Sequence, residues 1–179
     1  MSNDYLFDNR TEQQYRNNVS VSKQIQDEYL ELFQYQFDSE GYEATFTTVG
    51  CDANGLLYDY SQVTSEPDWE LTLTLGEDEV TVPIEFQYSW DYHDSYFFKE
   101  NKVNRCLDRG ATIVLAINRP GYNDRVYAIT NPVIISEYGQ YGMKYQYGQD
   151  GGKTGYYLDS SYLMFHRLDD HIDVWEWLQ

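Results

Sequence analysis

Residues 68–87 read DWELTLTLGEDEVTVPIEFQ, and their reading decides the fold. Trp69, Leu71, Leu73 and Leu75 alternate with Asp68, Glu70, Thr72 and Thr74. After Gly76-Glu77-Asp78-Glu79, Val80, Val82, Ile84 and Phe86 alternate with Thr81, Pro83, Glu85 and Gln87. Two period-two runs around a Gly-containing turn predict a β-hairpin with a four-residue loop. One face is wholly apolar and packs on a core. The other carries Asp68, Glu70, Glu85 and Gln87 at its open end. Pairing Leu75 with Val80 sets Glu70 opposite Glu85 and Asp68 opposite Gln87. Directly opposed residues have Cβ atoms roughly 5 Å apart, and like charges there destabilise. A cation would relieve such a pair, although a solvated strand face has the same pattern.

Before this hairpin, Ile25, Tyr29, Leu32, Phe33 and Phe37 recur at helical spacing. Ser20 or Ser22 is the expected cap and Gly41 the stop. Residues 1–18 are polar and are expected to be loose or a short helix. Tyr42 to Val49 reads as a strand, and Asp52 to Gly55 as a turn. Beyond the hairpin a second helix is expected over Asp94 to Asp108, with Tyr96, Val103, Cys106 and Leu107 on one side and Gly110 as its stop. Ala111 to Ile117 is an unbroken apolar run, the mark of a strand buried on both faces. A short strand is expected over Arg125 to Thr130. A helix follows with Asn131 before it and Pro132 at its first position. Then come a late hairpin (Tyr141 to Tyr147, Tyr156 to Leu158) and a terminal helix, Asp169 to Leu178, with Ile172, Trp175 and Leu178 inward. Strands interleaved with helices predict an α/β (α+β) fold, a mixed central sheet flanked by helices. The helix between the Glu85 and Ile113 strands is expected to be a parallel crossover.

The 179 residues suit one domain, with a core over about 22–117 and a C-terminal elaboration over 118–179. With 41% hydrophobic and 23% charged residues, the chain is not of disordered type. No apolar run approaches the roughly 20 residues of a membrane span, and no signal-peptide pattern opens the chain, so a cytoplasmic protein is expected. Two cysteines, Cys51 and Cys106, without a CxxC pair argue against a disulfide scaffold or a structural zinc site. Thirty acidic against twelve basic residues give a net charge of -18. That argues against broad, non-specific nucleic-acid binding, which needs Lys and Arg for the phosphates. It does not exclude a local basic or metal-centred site.

Asp68 and Glu85 have the chemistry to hold Mg²⁺ jointly, since a hard cation takes one or two carboxylates plus water and phosphate oxygens. Pro67-Asp68, seventeen positions to Glu85, then Phe86-Gln87 resembles the PD-(D/E)xK signature of restriction-endonuclease-like nucleases. The order of elements over Ser22 to Ile117 also resembles that family's core of helix, three-strand meander, crossover helix and fourth strand. The resemblance implies a restriction-endonuclease-like fold and a nuclease that hydrolyses DNA with Mg²⁺ or Mn²⁺. Asp68 and Glu85 would be its metal-binding acids. It also implies a supporting Glu on the first helix, where Glu28 fits, and often a homodimer. Compact nucleases of this kind are often associated with phages or mobile elements. One position departs from the pattern. Gln87 stands where the family's Lys is usual, and Gln hydrogen-bonds without carrying charge. A Lys from the following helix would compensate. Lys99 is the candidate, with Lys102 at the edge of the same face.

Other signals are weaker. Asp91, His93 and Asp94 have the residue types of a metal site, but alternating polar residues before a helix are more often a loop and an N-cap. His166 and His171 suit surface or packing roles. No phosphate-binding Gly-rich loop and no serine nucleophile elbow occur. The tyrosines of Tyr138 to Tyr157 suit either base stacking or a half-buried sheet. Arg105, Arg109, Arg119 and Arg125 would supply a phosphate-facing strip. Against the nuclease stands a different class, a catalytically silent acidic protein that mimics DNA charge. A structural or assembly protein on the same fold is a third reading.

Overall fold

The computed structural model describes residues 12–49, 67–121, 125–144 and 152–178. In chain order these form α1 (Glu12–Ser39), β1 (Ala44–Thr48), β2 (Trp69–Leu75), β3 (Asp78–Ser89), β4 (Ser95–Lys99), α2 (Glu100–Arg109), β5 (Thr112–Ile117), β6 (Val126–Thr130), α3 (Pro132–Tyr138), β7 (Gln140–Lys144), β8 (Lys153–Asp159), β9 (Phe165–Arg167) and α4 (Val174–Trp177). A six-stranded sheet runs in the order β1-β2-β3-β5-β6-β9, and a three-stranded sheet in the order β4-β8-β7. Within the larger sheet β3 and β5 are parallel, and the other pairs are antiparallel. The fold is therefore mixed α/β, a central mixed sheet flanked by helices. The turn expected at Asp52 to Gly55 and the centre of the late hairpin lie outside the described residues.

The central sheet separates two cores. On one side, Ile25, Tyr29, Phe33 and Phe37 of α1 meet Trp69, Leu71, Leu73, Ile84 and Phe86, with Ile172, Val174 and Trp177 closing the layer. On the other, Val103 and Cys106 of α2, Ile135 of α3, and Tyr96, Phe98 and Leu158 of the small sheet form the second core. β5 serves both. Val114 and Ala116 enter the first core, while Ile113, Leu115 and Ile117 enter the second. This is why its sequence is apolar without alternation. The tail is structural as well: β6 and β9 extend the sheet, and Trp177 is fully buried against Phe33, Phe37 and Phe46.

Four expectations are corrected. First, the hairpin register is shifted by two: Leu75 pairs with Asp78 and Leu73 with Val80, so only Gly76 and Glu77 form the loop. Gly76, at φ 69°, supplies the positive φ that a two-residue turn requires. Glu70 thus faces Pro83, not Glu85. Second, residues 95–99 are a strand, and α2 begins only at Glu100. The aromatic run Tyr96-Phe97-Phe98 prefers the pleat and pairs with β8. β8 approaches so closely that a Cβ on Gly155 would lie 2.2 Å from the Phe98 carbonyl oxygen. Leu107 remains 38% exposed. Third, α1 runs through Ser20 and Ser22, so neither is its cap. Fourth, α4 has only four residues, capped by Asp173, whose carboxylate accepts from Trp175 N–H at 3.0 Å. That short turn points Trp177 inward and leaves Trp175 71% exposed.

Candidate active site

β2 ends beside the middle of β3, and the site forms at that step. The ladder ends with Trp69 opposite Ile84, and its register carried one step further would set Asp68 opposite Glu85. The two-residue shift therefore brings together the acids that the four-residue loop would have separated. The Asp68 carboxylate accepts the Phe86 backbone N–H at 2.8 Å, satisfying an amide beyond the end of β2. Glu85 lies on the α2 side of β3 and is only 7% exposed. A carboxylate this buried needs a charged partner. Lys102, in the first turn of α2, donates to Glu85 Oε1 in a short ion pair. Burial pulls the Lys102 ammonium toward neutrality. Glu85, with Asp68 behind it, overcomes that and holds it above the ordinary lysine range. The adjacent Cys106 thiol is pushed up to about 12, first by burial and then by the Glu85 charge.

Beyond Asp68, a cavity of about 330 Å³ opens along β3. It is lined by Ser22 and Gln26 of α1, by Phe86, Gln87 and Tyr88 of β3, and by Phe97 of β4. Lys99, Lys102, Lys144 and Lys153 complete it. These are four of the chain's five lysines, gathered at one place in a protein of net charge -18. Gln87 donates from Nε2 to the Phe97 carbonyl at 3.1 Å and so ties the two sheets together at the cavity.

The expected residues are thus partly assembled. Asp68, Glu85, Gln87 and Lys99 meet at or beside the cavity. Lys99 arrives there as the last residue of β4, on the Phe97 side of its pleat, not from a helix. Lys102, expected only at the edge, is the lysine on Glu85. Glu28 does not join them. Its Oε2 pairs with Arg125 at 3.3 Å, and its Oε1 accepts from Gln24 at 3.2 Å. Residues two apart on a helix do not share a face, and Gln26 is the one lining the cavity. Gln26 and Ser22 are what residue-by-residue reading missed. Their i,i+4 spacing on the flank of the Ile25–Tyr29 stripe was the available signal. Arg119 pairs with Asp91 at 3.4 Å, and Arg125 with Glu28, so these two arginines are matched with carboxylates. The His93 N–H bonds to the Tyr96 hydroxyl, and the Asp94 carbonyl to the Ser160 N–H, as befits a loop. His166 pairs with Glu176 at 2.8 Å, and His171 with Glu40 at 2.6 Å.

Among the described residues no cluster of three or more His, Cys, Asp or Glu side chains is placed to hold a metal. The donor set at the step is two carboxylates. It fits a largely hydrated hard cation such as Mg²⁺ better than a fully protein-ligated ion. Asp68, Glu85 and Lys102 together carry one formal negative charge, and of the three Lys102 lines the cavity.

No protein-family model matches the chain. No curated protein is significantly similar to it. Among solved structures, it bears a distant likeness to a Holliday junction resolvase from Archaeoglobus fulgidus, an archaeal hyperthermophile. The TM-score is 0.35 and the identity 11%, over 72% of this chain and 84% of the resolvase chain.

Proposed function

We propose that this chain is a metal-dependent nuclease of the restriction-endonuclease-like class that hydrolyses DNA phosphodiester bonds. The single observation that carries the reading is that the Asp68 carboxylate sits on the Phe86 N–H, next to Glu85 on β3 and beside a cavity lined by lysines. In this reading Asp68 and Glu85 hold Mg²⁺ or Mn²⁺. The bound ion would supply Lewis-acid stabilisation of charge on the phosphoryl oxygen and acidify a coordinated water.

The chain's own residues have separable tasks. The Phe86 N–H orients the Asp68 carboxylate. Lys102 stays protonated and holds Glu85 in place, bringing positive charge to the region that Gln87 leaves neutral. Gln87 fixes β4 against β3, so that Phe97 and Lys99 face the cavity. Lys99, Lys144 and Lys153 offer charge to a phosphate backbone that the acidic remainder of the surface repels. A homodimer belongs to this reading, and sedimentation of the purified protein tests it.

The deciding experiment incubates the protein with plasmid and single-stranded DNA in Mg²⁺ and in Mn²⁺, beside Asp68→Asn and Glu85→Gln. Cleavage that needs metal and is lost in both variants is the expected result. Absence of cleavage by the wild type with either metal, at low and high salt, refutes an active nuclease. It favours instead the acidic DNA-mimic or assembly protein.

A further inference from the structure

The lysine cavity does not end at Phe97. A second cavity, of about 350 Å³, adjoins it and shares Gln87, Tyr88, Phe97 and Lys144 with it. Its far side is formed by Tyr157 and the loop residues His93 and Asp94. We infer that the two cavities form one groove that takes an unpaired stretch of nucleic acid, its phosphates at Lys144 and Lys153 and a base against Phe97 and Tyr157.

The lysine end has an electrostatic cause. Lys144 and Lys153 are directly opposed partners in the β7–β8 ladder. Like charges so placed destabilise a hairpin, and a bound anion relieves them. The aromatic end begins at the same point. Lys144 Nζ lies 5.8 Å from the Phe97 ring centroid. Phe97 and Tyr157 are ladder partners with ring centroids 5.0 Å apart, tilted by 55°. Both are half-buried and line the second cavity. Cations that track a backbone beside aromatic faces are the chemistry of single-strand binding. In a duplex those base faces are already stacked on their neighbours. The groove is therefore selective for unpaired nucleotides.

This inference deepens the nuclease reading, yet the two fail separately, because binding is measured in EDTA, where metal-dependent cleavage plays no part. A fluorescein-labelled oligothymidylate and a duplex of the same length are titrated with the full chain across a salt series. The single strand is expected to bind at least about 5-fold more tightly. Phe97→Leu and Tyr157→Leu should each weaken it by about 5- to 150-fold and leave the duplex unchanged. Phe97→Tyr, which keeps a ring, should restore it. Unchanged melting temperatures separate these effects from misfolding. Lys144→Gln with Lys153→Gln should reduce the slope of log K against log salt by about 1.4 for the single strand. Equal binding of both forms with silent aromatic variants overturns the inference, as does an unchanged salt slope. Displacement of the oligomer by equimolar inorganic phosphate or thymidine monophosphate also overturns it, since the groove would then be a small-anion site.

Discussion

Replacing Lys102 by Met removes the charge on Glu85 while keeping most of the stem that packs on α2. The side chains of this pair are 30% and 9% exposed. Breaking a fully buried ion pair by removing one partner costs about 3–5 kcal/mol, because the other charge stays buried and unpaired. Discounting by about a third for the solvent that reaches Lys102 leaves about 2–3 kcal/mol at neutral pH. The cost depends on pH in a definite direction. In the wild type the titrating group is Lys102, whose folded pKa lies above its unfolded value. Its contribution is complete below the unfolded lysine pKa and is lost only as pH rises beyond it. Urea unfolding followed by tryptophan fluorescence, with Trp69 buried beside Asp68, measures both proteins at neutral and at strongly alkaline pH. Lys102→Met should lose about 2–3 kcal/mol at neutral pH and clearly less at strongly alkaline pH. Adding Glu85→Gln should recover most of the loss. A penalty independent of pH, or one below about 0.5 kcal/mol, would refute a buried, charge-dependent pair.

Four further outcomes are expected. Trp177→Ala should cost about 3–5 kcal/mol in chemical denaturation, whereas Trp175→Ala should stay within about 0.5 kcal/mol, the reverse of what helical spacing implies. Tyr29→Phe should cost about 1 kcal/mol, because its hydroxyl donates to the Ile117 carbonyl at 2.9 Å inside the core. In the wild type, burial pushes that phenol up to about 12, so alkaline difference spectroscopy should find it titrating well after the exposed tyrosines. In a Cys51→Ser background, Cys106 should resist a thiol reagent at mildly alkaline pH until the protein unfolds, because its thiolate is disfavoured up to about pH 12. Rapid labelling of the folded protein would contradict the packing of α2 on the sheet.

Much of this molecule follows from local chemistry. Apolar patterning shows within a few consecutive residues, as a period in α1, β2 and β3 and as an unbroken run in β5, so these elements announce themselves in the chain. Gly110 at φ 62° and Asn131 before Pro132 mark helix ends for reasons internal to a few residues. The pairing of Asp68 with Glu85 did not follow in the same way. An alternating pattern forbids a one-residue slip, which would turn the apolar face outward, but it is unchanged by a slip of two. The backbone at Gly76 and the packing of the apolar face chose between those registers, and that choice brings the two acids together. The Tyr96–Lys99 strand depends likewise on β8, from more than fifty positions onward, which supplies the ladder that aromatic residues by themselves do not specify. The gathering of four lysines is wholly tertiary. Lys99 and Lys102 come from the crossover, and Lys144 and Lys153 from the late hairpin, and no local spacing relates the two pairs. Composition alone determined that the protein is strongly acidic. Only the folding of the small sheet against the open end of β3 decided where its few cations stand, because charge is additive along a chain whereas electrostatic potential depends on distance through space.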